Sequence, residues 1–478
     1  MKLPRAEQSS AFARPPGHRE GRSQLPRAEP RGRLALEHVS VIDATGAPAR
    51  ADRMVVIEDG RIRSIGKNRK VPGATVIDAS GKFLIPGLWD MHVHGAGRAD
   101  YLDLFVANGV TGIRDMFDSL SEINKRRAEI RDGSRRGPRI VAAGRVLDGP
   151  TPILPGATAI NNAREAEAAV DAAAAEGCDF VKLYSLLPRD AYFAAAARAK
   201  ERGLPFVGHV PESISVAEAS DAGQRSVEHL TGVLMACSSR ENELRSQLAA
   251  DIRGGSALSV GYRTFLYCSA EALESFSRDK ADALFGRFTR NATWHCPTLT
   301  VLRGFAYLDT EEFTSDPRVI FLPAWLRLIW NPKGGFVTQY LTHEDFANLK
   351  QGLRKDLELV GMMRRAGVNL LAGTDTSGPY CFPGFSLHDE LELLVRGGLT
   401  PMEALQAATL NPARFLGQSD RLGTVEAGKI ADLVLLEANP LEDIRNTRKI
   451  AGVVLGGGFI ARAELQATIA RIEAAARK

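Results

Sequence analysis

The sequence predicts an α/β protein in which a (β/α)8 TIM-type barrel is inserted into a small composite β-sandwich built from both chain ends. Three observations carry that expectation. Short β-branched runs separated by Gly and Asp turns crowd residues 33–82, and similar runs return after residue 418. Between them, apolar strand runs alternate with Ala-rich helical runs. Such alternation implies parallel strands joined by crossover helices, and eight such units in a stretch of this size fit a closed barrel.

Residues 1–32 are rich in Pro, Arg, Ser and Glu and lack apolar periodicity. They cannot bury enough surface to offset chain entropy, and read as a disordered basic tail. No apolar stretch follows the basic start, so the tail is not a secretory signal. The runs LALEHVSVIDATG, RMVVIEDGRIRSIG and ATVIDASGKFLIPG then read as strands, with Asp59-Gly60 as a hairpin turn. A sheet of roughly 50 residues is too small to be comfortable alone. Its partners are expected in LGTVEAGKIADLVLLEANP and IAGVVLGGGFIARA. The β domain is therefore expected to combine residues 33–82 with 418–478, and the barrel to occupy 83–417.

The expected barrel strands lie in FLIPGLWDMHVH, GVTGIRDM, RIVAAGRVL, DFVKLY, PFVGHV, RSVEHL, TWHCPTL and NLLAGTD. Between several of them lie helices such as AREAEAAVDAAAAEG and RDAYFAAAARAKERG. Two connections are long, 231–291 and 302–369, and carry Tyr262, Phe265, Tyr267, Phe305, Tyr307, Trp325 and Trp330. They read either as lid insertions over the mouth or as extra helices packed on the rim.

Composition closes off other classes. With 44% hydrophobic and 25% charged residues over 478 positions, collagen-like, coiled-coil and wholly disordered chains are excluded. The charge balance, 61 Lys+Arg against 57 Asp+Glu, gives +4 and no ground for a nucleic-acid partner. No run of about 18 apolar residues exists, so no membrane span is expected. Cys178, Cys237, Cys268, Cys296 and Cys381 are scattered, without a CxxC pair, and suggest neither a disulfide framework nor a thiolate zinc site. A cytoplasmic location is the default expectation, with export reopened by a different start site.

The chemistry is expected at the C-terminal ends of the barrel strands. The first strand ends in His92 and His94, which share a face because strand residues i and i+2 do. Lys182 lies within the apolar run of the fourth strand; the fifth ends at His209, the sixth at His229 and the eighth at Asp375. Singly, each has an ordinary explanation, such as a hydrogen-bonded core histidine or a salt-bridged lysine. Convergence of so many strand ends on one mouth is hard to explain by packing. Nitrogen and oxygen donors without thiolate suit zinc first, with Mn2+, Fe2+ or Co2+ as other candidates.

These motifs, in this order, resemble the amidohydrolase superfamily, and most closely its imidazolonepropionase-like and prolidase-like branch. The resemblance runs from about Leu34 to Ile460 and includes the block LTPMEALQAATLNPARFLG…RLGTVEAGKIADLVLLEANPLEDI. It implies a metal-dependent hydrolase acting on carbon–nitrogen bonds, with two divalent metal ions. His92 and His94 match the pair on the first ion, His209 and His229 the pair on the second. Asp375 matches the ligand that also moves protons. Lys182 matches the lysine that carries a carbamate from CO2 and bridges both ions. The implied reaction is attack of a metal-bridging hydroxide on an amide-type C–N bond in a dipeptide, such as Xaa-Pro, or an N-acyl amino acid. Cyclic-amide or imidazolone hydrolysis, deamination and esterase or phosphotriesterase chemistry are the alternatives, and a non-catalytic scaffold would lack the ligands.

Tyr184 could hydrogen-bond a substrate carbonyl or pack at the rim, and Arg145 could pair with a substrate carboxylate or form an internal salt bridge. Arg114-Asp115 reads as structural, His388 as a pocket or loop residue outside the ligand set, and His295 as a packed histidine. The expected partner is a small molecule or dipeptide-like substrate, with no nucleic acid and no membrane; a homo-oligomer is compatible with the sequence. A chain starting at Arg33 should keep the melting temperature of the whole, because the tail's composition offers it nothing to bury. A loss of many degrees in a thermal melt would show that it docks.

Overall fold

The computed structural model describes residues 32–254, 270–333, 338 and 341–477. The tail to residue 31 and Tyr262, Phe265, Tyr267 and Cys268 lie outside the described residues. The N-terminal strands are β1 (Arg33–Val41), β2 (Arg50–Glu58), β3 (Arg61–Gly66), β4 (Ala74–Asp78) and β5 (Phe83–Pro86). Asp59 and Gly60, both at positive φ, make the two-residue turn between β2 and β3, as a hairpin of this hand requires. β1 pairs antiparallel with β2 and parallel with β4 and β5.

The C-terminal strands complete this sheet. β5 pairs antiparallel with the segment Leu433–Leu436, which pairs with Ile450–Leu455, which in turn pairs with Gly458–Ala461. The β2–β3 hairpin then reaches back to the same C-terminal segment: Ile62 N–H donates to Lys429 O, and Ala431 N–H to Gly60 O, both at 2.9 Å. Leu34, Leu36, Val55, Ile57, Leu433 and Leu435 share one apolar cluster, so neither chain end buries its strands without the other.

The barrel strands are β6 (Leu88–Val93), β7 (Val110–Asp115), β8 (Arg139–Ala142), β9 (Val146–Asp148), β10 (Thr158–Ala159), β11 (Val181–Leu183), β12 (Phe206–Gly208), β13 (Ser226–Glu228), β14 (Trp294–Cys296) and β15 (Asn369–Leu370). β9 resumes β8 beyond a break at Ala143-Gly144, and β10 is a short addition to its edge. Counting β8 and β9 as one rung, the described residues form eight parallel rungs. The seam closes where Met91 N–H donates to Ala372 O at 2.9 Å and Asp375 N–H donates to His92 O at 2.8 Å. Between β8 and β11 the link is Asp179 N–H to Ala142 O, also 2.9 Å.

Trp89, Met91, Phe180, Val207, Cys296 and Leu371 fill the interior, and Phe415 and Leu422 join their cluster. Gly112 is required by Trp89: a Cβ there would meet the indole at 2.2 Å. The Ala-rich helices Ala163–Glu176 and Arg189–Glu201 pack outside the barrel through Ala166, Val170, Ala191 and Ala195.

Each long connection also contains a regular helix, Arg278–Arg290 in the first and His343–Arg365 in the second. The extra material is therefore smaller than the lengths of the connections suggest. In the second, Phe305 packs edge-on against Trp330 at 5.8 Å, and Trp330 Nε1 donates to Ser377 O beyond the last rung. Trp325 is 60% exposed. One element was not anticipated: the helix Arg462–Ala476 ends the chain and lays Leu465 against Val106 and Ala107.

Deleting everything after Leu416 should leave β5 without its antiparallel neighbour and expose the N-terminal sheet to edge-to-edge association. The expected outcome is an aggregated product in size-exclusion chromatography; a soluble, active truncation would contradict it.

Candidate metal centre

The strand ends bring His92, His94, Lys182, His209, His229 and Asp375 to one mouth. Asp375 Oδ1 lies 3.0 Å from His94 Nε2 and 3.2 Å from His92 Nε2. Lys182 Nζ lies 3.5 Å from His92 Nε2. The His92 and His229 rings are 4.5 Å apart between centroids, and the His209 and His229 rings 4.9 Å. His229 and Asp375 are non-glycine residues at positive φ, with N–H groups held by Cys296 O and His92 O on the neighbouring strands. Such backbone is sparsely populated and persists where its surroundings over-determine it.

Every histidine of the set uses its Nδ1 on an outer partner. His92 Nδ1 meets Glu228 Oε2 at 2.9 Å, His94 Nδ1 meets Phe117 O at 3.2 Å, His209 Nδ1 meets Ser185 Oγ at 2.9 Å and His229 Nδ1 meets Thr298 Oγ1 at 2.6 Å. The Nε2 atoms are thereby the nitrogens that a metal ion could take.

Burial sets the charges. It holds His209 and His229 well below the ordinary histidine value, with Lys182 and neighbouring imidazoles adding to the effect, so both imidazoles are neutral. Burial also lowers Lys182 to about 8, against the opposing pull of Asp375 and Glu228. For Asp375 burial acts upward, but the close imidazoles of His229, His92 and His94 outweigh it and hold the carboxyl well below its usual range. Asp90, beneath His92, is pushed up to about 8 by burial while its oxygens meet Thr374 N, Thr374 Oγ1 and His92 N.

These residues fit divalent cations: imidazole nitrogens with their other nitrogen occupied, one ionised carboxylate, and a lysine disposed to lose its proton. The ligand atoms of His92, His229 and Asp375 lie within 4.8 Å of one another. A second group of that span, His92, Glu228 and Cys296, is a packing cluster. Its Glu228 is held by Arg114, and burial raises the Cys296 thiol well above its ordinary value.

The other candidates fall on both sides. Tyr184 stacks on His209 with ring centroids 4.0 Å apart, at the mouth. Arg145 is not brought there, which corrects its reading as a substrate contact. It sits in the break between β8 and β9 and turns outward to Glu176 at 3.0 Å, with its side chain 56% exposed. His388 is buried behind the barrel between Thr447 Oγ1 and Asn108 O. His295 is buried against Phe288. Sequence reasoning passed over Glu228, Ser185 and Thr298; an acidic residue inside the apolar run RSVEHL was the available signal for the first.

A model of the amidohydrolase family matches residues 316–460. Ochratoxinase from Aspergillus niger is 26% identical over 451 residues, covering 85% of this chain and 81% of that protein. The chain is therefore similar to amidohydrolases, by a family match in its C-terminal part and by a relative along most of its length. Among solved structures, a bottromycin amidohydrolase superposes on this chain with TM-score 0.70 and 24% identity, covering 94% of this chain and 92% of that one. A Xaa-Pro dipeptidase with bound methionine gives 0.65 at 19% identity, over 90% of this chain and 100% of that one. At such identities the two structures speak for the fold.

Because Asp90 titrates higher in the folded chain than in an unfolded one, where about 3.9 is usual, the folded state binds a proton that the unfolded state has lost. Its contribution to stability should fall as pH rises from about 4 to about 8. Asp90→Asn keeps the shape and should flatten that fall; chemical denaturation of the metal-free protein across this range would check it, an unchanged slope contradicting the assignment.

Proposed function

We propose that this protein hydrolyses an amide-type C–N bond in a small substrate of the dipeptide or N-acyl amino acid kind. In this reading two divalent ions, zinc first among the candidates, are held by His92, His94, Lys182, His209, His229 and Asp375. The observation that carries it is the convergence of four imidazoles, each with Nδ1 engaged outward, around one ionised carboxylate and a buried lysine. The likeness to ochratoxinase and to a bottromycin amidohydrolase supports amide hydrolysis, and the dipeptide and N-acyl amino acid classes are the substrates proposed for it.

Bound divalent ions would lower the pKa of a coordinated water towards about 7 and polarise a substrate carbonyl. The chain supplies the rest. Asp375, 14% exposed and facing His92 and His94, stays ionised and so can accept the proton of the attacking water. The same carboxyl then returns that proton to the leaving nitrogen, which must be protonated to depart as an amine. Tyr184 stands over His209 and offers a phenol towards a substrate oxygen. Lys182, buried and lowered towards the neutral amine, is suited to form an N–C bond to CO2 and release one N–H proton to solvent, giving an anionic carbamate in place of a cation beside metal ions.

Metal removal with a chelator should abolish hydrolysis of a panel of Xaa-Pro dipeptides and N-acyl amino acids, and zinc or manganese should restore it. Asp375→Asn should lose about 10²–10⁴-fold in turnover while retaining more metal than His92→Ala. Undiminished turnover in Asp375→Asn would remove its proton role; a panel unaffected by metal loading would remove the metallohydrolase reading.

A further inference from the structure

Glu228 is a fully buried carboxylate that the proposed reaction leaves without a task. Its Oε2 accepts from His92 Nδ1 at 2.9 Å. Arg114 Nη2 donates to its two oxygens at 2.8 and 3.0 Å, and Ser226 Oγ donates to Oε1 at 2.5 Å. Arg114 is itself tied down by Nη1 to Ser226 Oγ at 2.9 Å and Nε to Met91 O at 2.5 Å, and its guanidinium lies 5.1 Å from the centre of the Phe415 ring. Rungs β6, β7 and β13 are thus joined by one buried network that ends at Nδ1 of His92.

The other three histidines lean on uncharged acceptors: a carbonyl for His94 and hydroxyls for His209 and His229. A charged acceptor stabilises the positive charge that an imidazole gains as its far nitrogen binds a cation more strongly than an uncharged one does. An ionised carboxylate can only accept, so Nδ1 of His92 carries the proton and Nε2 the lone pair. We infer that Glu228, clamped by Arg114 and Ser226, is the positioning residue that fixes the tautomer and ring plane of His92 and strengthens it as a metal ligand. The inference rests on the metallohydrolase reading above. The competing role is that Glu228 merely neutralises Arg114 in the barrel interior.

The two roles part in a paired substitution. Glu228→Gln alone leaves Arg114 buried without its counter-charge and is a poor test, because that costs folding stability. Arg114→Met combined with Glu228→Leu removes both charges and fills similar volume, so the fold should survive. Zinc is the probe: the full-length chain is loaded, competed with a graded series of chelators, and its metal counted by mass spectrometry. The positioning role predicts that one of two zinc ions binds about 10–100-fold more weakly in the paired variant while the other is retained. A purely neutralising role predicts two ions held as in the unaltered chain, and that result overturns the inference.

A second measurement needs no variant. In the zinc-loaded, 15N-labelled chain, His92 Nδ1 should appear as a protonated ring nitrogen, and a metal-bound Nδ1 would overturn the inference too. If the unaltered chain takes up no divalent ion, the metallohydrolase reading falls and takes this inference with it. If it takes up two and the paired variant matches it, the inference alone falls.

Discussion

The seam between the first and last barrel rungs holds the centre together. Asp375 reaches His92 and His94 because its own N–H is bound to His92 O, which sets the register of two segments almost the length of the barrel apart in sequence. Strand side chains alternate faces, so a one-residue slip at this seam would turn Asp375 out of the mouth. Gly373 is part of the same constraint. A Cβ there would stand 2.5 Å from Cys296 Sγ and 2.8 Å from His92 N, so any larger residue would push the rungs apart. The candidate ligands are thus placed by backbone hydrogen bonds first and by side-chain contacts second.

The composite sheet bears on that seam from below. β5 runs into β6 through Gly87, whose N–H donates to Asp432 O at 2.8 Å, and Trp89 N–H donates to Ala408 O at 2.8 Å. The strand that carries His92 is therefore anchored at its base by residues from the far end of the chain. A Cβ on Gly87 would meet Thr111 Oγ1 at 2.1 Å, which ties the same junction to β7. Rigid elements of this kind hold ligating groups to the tolerance that metal coordination needs.

Inside the barrel, burial sorts the ionisable groups into two kinds. Asp375 and Glu228 face enough opposing charge and hydrogen bonding to remain ionised, while Asp90 does not and takes up a proton. His209 and His229 are driven neutral by the same loss of water, which leaves lone pairs directed at the mouth. Loss of water thus disfavours a proton on these imidazoles and leaves their lone pairs open to a cation that several of them could share.

Much of this was legible in the sequence because it is carried by local pattern. The alternation of strands and helices, the Asp59-Gly60 turn, and the histidines, lysine and aspartate at strand ends follow from periodicity and from where a parallel barrel exposes its strand termini. The family likeness rests on those same motifs. What tertiary structure decided is everything that depends on which residues meet across the chain. Arg145 and Tyr184 both stand near strand ends, yet the break between β8 and β9 turns one outward to Glu176, while β11 lays the other on His209. Glu228 lies beside His229 in sequence but bonds His92, 136 positions away, because the closed barrel brings β13 opposite β6. Periodicity tells which face a residue takes; contacts at such separation exist only once the barrel has closed.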